Sequence, residues 1–325
     1  MVNPNEELLQ KMGQFSGGGD TTLWESEAMG SADIGHLRRT VSIAWLLLAL
    51  KLMALPAYGQ GAQQNNTWYS RSNSDTVFIF VHGLFSNANE CWTAPNKAYW
   101  PEILKTDTRF GDPNIFLGGY YTERNSGDYR IRNAADQLLS HLAGTNPQNI
   151  PGPLTKPKLI FIAHSTGGLV VQYLLERNRE LFKDKIIGLV LVASPSNGSA
   201  WADRFAWLQK FYGNEMVGEL TPYNAFTLDL SQRFAELLDA KKLNLTGFDL
   251  FENKLIGGRW LWFWRNERVV KAEDTASRFG AYKLVPGSDH FSIAKPTSVT
   301  DESHHYLWVF YETKFLPFEI GRAHV

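Results

Sequence analysis

The chain has 325 residues, enough for one large α/β domain with an insertion, and 44% of them are apolar, which is ample for a core. Its 32 Lys and Arg against 33 Asp and Glu leave a formal charge of −1, so nothing in the composition points to nucleic acid as a partner. Cys91 is the single cysteine, which excludes an intrachain disulfide and a multi-cysteine metal site.

Residues 1–35 are polar, contain SGGGD and show no periodicity, which predicts a disordered or spurious extension. Residues 36–59 follow a signal-peptide pattern. Arg38 and Arg39 precede an apolar run from Val41 to Leu55, broken by Lys51, with small residues at Ala57 and Gly59. The run is short for a membrane span, yet it lies deep in the chain unless Met29 is the start. A membrane anchor and a buried helix are the rival readings. The expectation is an exported (periplasmic or secreted) or membrane-anchored protein, with residues 38–55 as the means of membrane association.

From Thr76 short β-rich runs alternate with amphipathic stretches. The predicted strands are TVFIFVH (76–82), NIFLGGYYT (114–122), KLIFIAH (158–164), IIGLVLVAS (186–194), KLIGGRWLWFW (254–264) and AYKLVP (281–286). Near-continuous apolar runs of this kind suit a parallel sheet covered on both faces. IRNAADQLLSHL, GGLVVQYLLERNRELF and HHYLWVFYETKF carry helical spacing, so the fold class is α/β with right-handed crossovers. Ser199 to Asn253 breaks the alternation and is expected to form a helical cap inserted in a main domain over residues 60–318. The closing EIGRAHV (319–325) reads as a translated sequencing adapter.

One corner carries chemistry. The strand ending at Ala163 is followed by His164-Ser165-Thr166-Gly167-Gly168 and then by a helix. A nucleophilic serine needs an exposed hydroxyl, a tight turn and a nearby backbone N–H, and the strand–turn–helix elbow G-x-S-x-G supplies all three. Alanine two before the serine keeps the required small size. The competing reading is an N-capping serine at a glycine-rich helix start. The base must follow in a loop near the serine: His290 lies directly after a predicted strand, whereas His304 and His305 open a helix and read as capping or packing. For the acid, Glu267 leads and Asp274 is second; Asp289 is too close in sequence to His290.

With HGLFSN (82–87), AHSTGG (163–168), VASPSNGS (192–199) and DHFSIAKP (289–296) in place, the chain resembles the α/β-hydrolase superfamily, lipase and esterase branch. More narrowly it is similar to serine esterases related to GPI inositol-deacylases and to serine-active-site-containing lipid-remodelling proteins. The resemblance implies an oxyanion hole of backbone N–H groups from Leu84 and Thr166, with Phe85 as the alternative to Leu84. It makes His82 structural and puts Pro195 to Ser199 beside the pocket. It also frames Glu267-Arg268-Val269-Val270 against the Asp-Gly-Val-Val of lipases. The implied activity is hydrolysis of carboxylic esters, lipid-like ones included, with no metal or organic cofactor. Acyl transfer on the same triad and a catalytically silent binding or sensor module are the alternatives.

Overall fold

The computed structural model describes residues 65–122, 128–195, 215–220, 224–253, 278–280 and 282–323, all within the compact unit Gly61–Val325. Seven strands form one sheet: β1 (Thr67–Ser70), β2 (Thr76–Val81), β3 (Asn114–Gly118), β4 (Lys158–His164), β5 (Ile186–Val192), β6 (Asn244–Glu252) and β7 (Tyr282–Val285). Their order is β1-β3-β2-β4-β5-β6-β7, and every pairing is parallel except that of β1 with β3. The predicted helices appear as α2 (Ile131–Ala143), α3 (Thr166–Arg177) and α5 (Glu302–Phe310), with α1 (Trp100–Thr106) and α4 (Ala225–Asp239) in addition.

Successive strand side chains point to opposite faces, so each apolar run feeds two cores. Val77, Ile79 and Val81 of β2, with Leu159, Phe161 and Ala163 of β4, pack under α2, α3 and α4. Phe78, Phe80, Ile160 and Ile162 pack on the other face against Trp100, Leu104, Leu307 and Phe310 of α1 and α5. Each fully buried side chain of this size contributes about 1.5–3 kcal/mol. The central strands and α3 are therefore the least yielding part of the molecule, and α3 is buried along its length from Thr166 to Glu176.

Part of the segment expected as a cap belongs to the sheet instead. β6 enters between β5 and β7, and α4 packs beside α3. The strand escapes the apolar-run criterion because Asn244, Thr246, Asp249 and Glu252 interrupt it. Residues 196–214 and 221–223, and the strand expected at 254–264, lie outside the described residues, as do residues 1–64. Leu316–Ala323 forms a further helix, α6, in which Glu319 pairs with Lys158. Among the described residues no helix is long and apolar enough to cross a membrane.

Candidate active site

Parallel register aligns the carboxyl ends of the central strands: His164 pairs with Val192, Val192 with Leu250, and Glu252 with Val285. Crevices outside the carboxyl ends of such strands are where open α/β sheets bind ligands. Three side chains from three of these ends converge here.

Ser165 sits between β4 and α3 with φ 53° and ψ −127°, in the left-handed half of backbone space that side chains rarely occupy. Such a conformation costs about 1–3 kcal/mol and persists only where its surroundings enforce it. The enforcement is visible. Ser165 N–H donates to the Val192 carbonyl (2.9 Å), and α3 approaches β2 so closely that a Cβ at Gly167 would lie 2.5 Å from the His82 carbonyl oxygen. Ser165 makes no side-chain cap to α3, which removes the N-cap reading; its Oγ faces His290 Nε2 at 3.0 Å. Ala163, fully buried in the core under α3, meets the same need for a small residue.

His290 follows β7 by five residues. Its loop is pinned by Gly287 N–H to Asn253 Oδ1 (2.7 Å), by Ser288 Oγ to the Val285 carbonyl (2.7 Å), and by Asp289 Oδ1. That oxygen accepts from the N–H groups of Phe291 (3.0 Å) and Ser292 (2.8 Å). Burial pushes the Asp289 carboxyl up, but the hydrogen bonds from Ser292 and Phe291 outweigh it and hold it below the usual range. Asp289 is thus spent on the turn.

The carboxylate facing the other ring nitrogen is Glu252, the last residue of β6, with Oε1 3.5 Å from His290 Nδ1; both side chains are buried. A contact of that length is loose for a hydrogen bond, as triads without substrate commonly are. Glu267 and Asp274 lie outside the described residues. The sequence reading did not weigh Glu252, because it placed residues 199–253 in the cap. The available signal was an acid closing the FDLFE run, followed by a turn-forming Asn253.

Beside the serine runs the loop after β2. A Cβ at Gly83 would lie 2.9 Å from Ser165 Cβ, so only glycine lets this loop approach. Among the described residues the N–H groups of Leu84 and Thr166 donate to no acceptor, and Phe85 takes a positive φ of 52°. Asn65 holds the loop from outside, accepting from Ala88 N–H (2.8 Å) and donating to His82 Nε2 (3.3 Å). His82 itself is stacked on Tyr120, and burial pushes its imidazole down to about 4, in keeping with a structural part. His304 is fully buried and bonded on both nitrogens, and His305 is exposed on α5, whose N-cap is Asp301. Pro195 follows β5, and Ser196 to Ser199 lie outside the described residues. Among the described residues no group of three His, Cys, Asp or Glu side chains could hold a metal ion.

The phospholipase PlaB of Legionella pneumophila aligns at 20% identity and a TM-score of 0.41, over 56% of this chain and 38% of that protein, so the chain spans well under half its length. A carboxylesterase of the thaumarchaeon Nitrososphaera gargenis aligns at 11% identity and a TM-score of 0.44, covering 78% and 94% of the two chains. An extracellular alpha/beta-hydrolase of a Paenibacillus species aligns at 15% identity and a TM-score of 0.39, over 73% and 98%. No curated protein matches the chain. A family model described as the alpha/beta hydrolase family matches residues 78–302, an interval that runs from β2 to the start of α5 and takes in Ser165, Glu252 and His290. With that match spanning most of the sheet and the whole candidate site, the chain belongs to the alpha/beta hydrolase family.

Proposed function

We propose that the protein is a serine hydrolase of carboxylic esters, working through an acyl-enzyme on Ser165. The observation that carries this reading is the 3.0 Å contact of Ser165 Oγ with His290 Nε2 on a strained elbow. Ser165 O–H donates to Nε2, so as Oγ attacks the ester carbonyl its proton passes to His290. Glu252 at Nδ1 fixes the tautomer that leaves Nε2 able to accept, and it stabilises the imidazolium. The N–H groups of Leu84 and Thr166 are the donors for the developing oxyanion; each such donor is typically worth about 3–4 kcal/mol in the transition state. Collapse returns the proton from Nε2 to the departing alcohol, and water then repeats the cycle to free the acid.

Lipid-like esters are the proposed substrates within this class. The narrower kinship with esterases of the GPI inositol-deacylase type rests on HGLFSN, AHSTGG, VASPSNGS and DHFSIAKP alone. Residues 38–55 would bring the enzyme to or through a membrane, which fractionation of the full chain would reveal. The test of the reaction is labelling with a fluorophosphonate probe together with hydrolysis of p-nitrophenyl esters graded by acyl length. Labelling at Ser165 and turnover lost in Ser165→Ala are expected; a chain that S165A leaves fully active is not this enzyme.

A further inference from the structure

His164, the residue before the nucleophile, has both ring nitrogens engaged although it is only 6% exposed. Its Nε2 lies 2.8 Å from the backbone carbonyl oxygen of His290. A carbonyl only accepts, so Nε2 carries the proton and Nδ1 is left as an acceptor. Cys91 Sγ sits 3.4 Å from Nδ1 and supplies an S–H. The charge states agree with this tautomer: burial, then the neighbouring His290, push the His164 imidazole down to about 3, and burial pushes the Cys91 thiol up to about 12. The His164 ring lies 5.0 Å from that of His290, centroid to centroid. A Cβ at Gly83 would come within 3.3 Å of His164 Nδ1, so the loop after β2 abuts the same ring.

Two consecutive residues therefore hold one histidine at two points. Ser165 meets the His290 ring, and His164 bonds the His290 backbone. The Asp289 turn and the Ser288 bond keep the loop folded, but both act on the chain on either side of the His290 carbonyl rather than on it. We propose that His164 is a positioning residue, whose Nε2–H···O=C bond to His290 fixes the backbone from which the base reaches Ser165. This role rests on the reading of Ser165 and His290 as nucleophile and base. Its leverage comes from geometry, since misplacing a reacting group by about 1 Å can cost about 100-fold in rate.

The test compares His164→Gln with His164→Asn in the full chain. Active sites are counted with a fluorophosphonate, and kcat per counted site is measured on a p-nitrophenyl ester. The Gln amide nitrogen reaches the place of Nε2, whereas the Asn amide reaches only that of Nδ1. H164Q is expected within about fivefold of the parent kcat per site, and H164N about 10–100-fold below it, with KM moved by no more than about twofold in either. H164M, likewise without a donor at the place of Nε2, replaces H164N should that variant not fold. Equal kcat per site in the variants with and without a donor at the place of Nε2 overturns the proposal, whether both stay at the parent level or both fall. So does a loss confined to Tm or to the number of countable sites, which is what packing alone would give. A parent that is not labelled at Ser165 sinks the hydrolase reading and this role with it; a labelled parent with equal variants sinks the role alone.

Discussion

Among the described residues two histidine–carboxylate pairs lie buried, and one of them has a hydroxyl on the far side of its ring. His290 has Glu252 at Nδ1 and the Ser165 hydroxyl at Nε2. His304 has Asp107 at Nε2 (2.9 Å), while its Nδ1 accepts from the indole N–H of Trp100 at 3.1 Å. The second pair has the shorter contact, yet its basic nitrogen is already occupied by a donor that will not give up its proton. What separates a base from a rivet is the chemistry on the far side of the ring rather than the strength of the carboxylate contact. Sequence context hints at the difference, since His304 opens a helix among aromatic residues whereas His290 lies in a loop directly after a strand.

The largest expected break falls on the reactive pair's partner. Ser165→Ala should lower kcat by about 10⁴–10⁶-fold while leaving the urea midpoint nearly unchanged, because the nucleophile and base of a triad act as a unit. Steady-state kinetics beside a denaturation curve check both halves; a tenfold loss or less would leave some other nucleophile in charge. Next comes Glu252→Gln, which keeps the shape but removes the charge that orients His290. A fall of about 10³–10⁴-fold in kcat is expected. Should E267Q or D274N show that loss while E252Q does not, the acid lies in the loop the sequence favoured and Glu252 is a bystander.

Breaking the sealed pair should do the opposite. His304→Phe leaves the Trp100 N–H without its acceptor and strips one donor from Asp107, which keeps Arg109 (2.6 Å). Each buried group left unsatisfied costs about 1–3 kcal/mol, so a total near 3 kcal/mol is expected in urea unfolding. Turnover per fluorophosphonate-counted site should stay within about twofold of the parent. A selective loss of turnover would mean that α5 reaches the site in a way these contacts do not suggest.

The contrast also explains what could be read from the chain in advance. The elbow was legible because Leu159–Ala163 and Leu169–Leu175 are apolar runs of opposite periodicity, with five small or polar residues to make the turn between them. His290 was legible because a short strand and a Gly-Ser-Asp turn precede it. Glu252 was not, because β6 takes its place through pairing with β5 rather than through its own composition. Phe248 and Leu250 face one core, whereas Asp249 occupies the intervening position that hydropathy scores as loop. Tertiary pairing overrides a weak local pattern in such a strand. The hydrogen bond from His164 was equally hidden, since nothing in AHSTGG says where the imidazole points.

The smallest effect expected is a pH dependence of stability, and it sharpens the comparison because it counts histidines sealed in the interior. Burial pushes His82 down to about 4 and His164 down to about 3, and it lowers His304 in spite of Asp107. An unfolded histidine takes up a proton near pH 6.5 or so. Between that value and the folded ones the unfolded chain therefore holds more protons, and stability falls as the pH drops through the window. Above it the contribution is fully present. Asp107, held down to about 2 by Arg109 and His304 against its burial, adds a loss of the same sign at still lower pH. The urea midpoint should thus stay level from pH 8 to 7 and decline from there toward pH 4.5, with net proton uptake on unfolding. H304F should shallow that slope by removing one of the contributing protons. A flat midpoint across the window would mean that these imidazoles titrate normally in the folded chain.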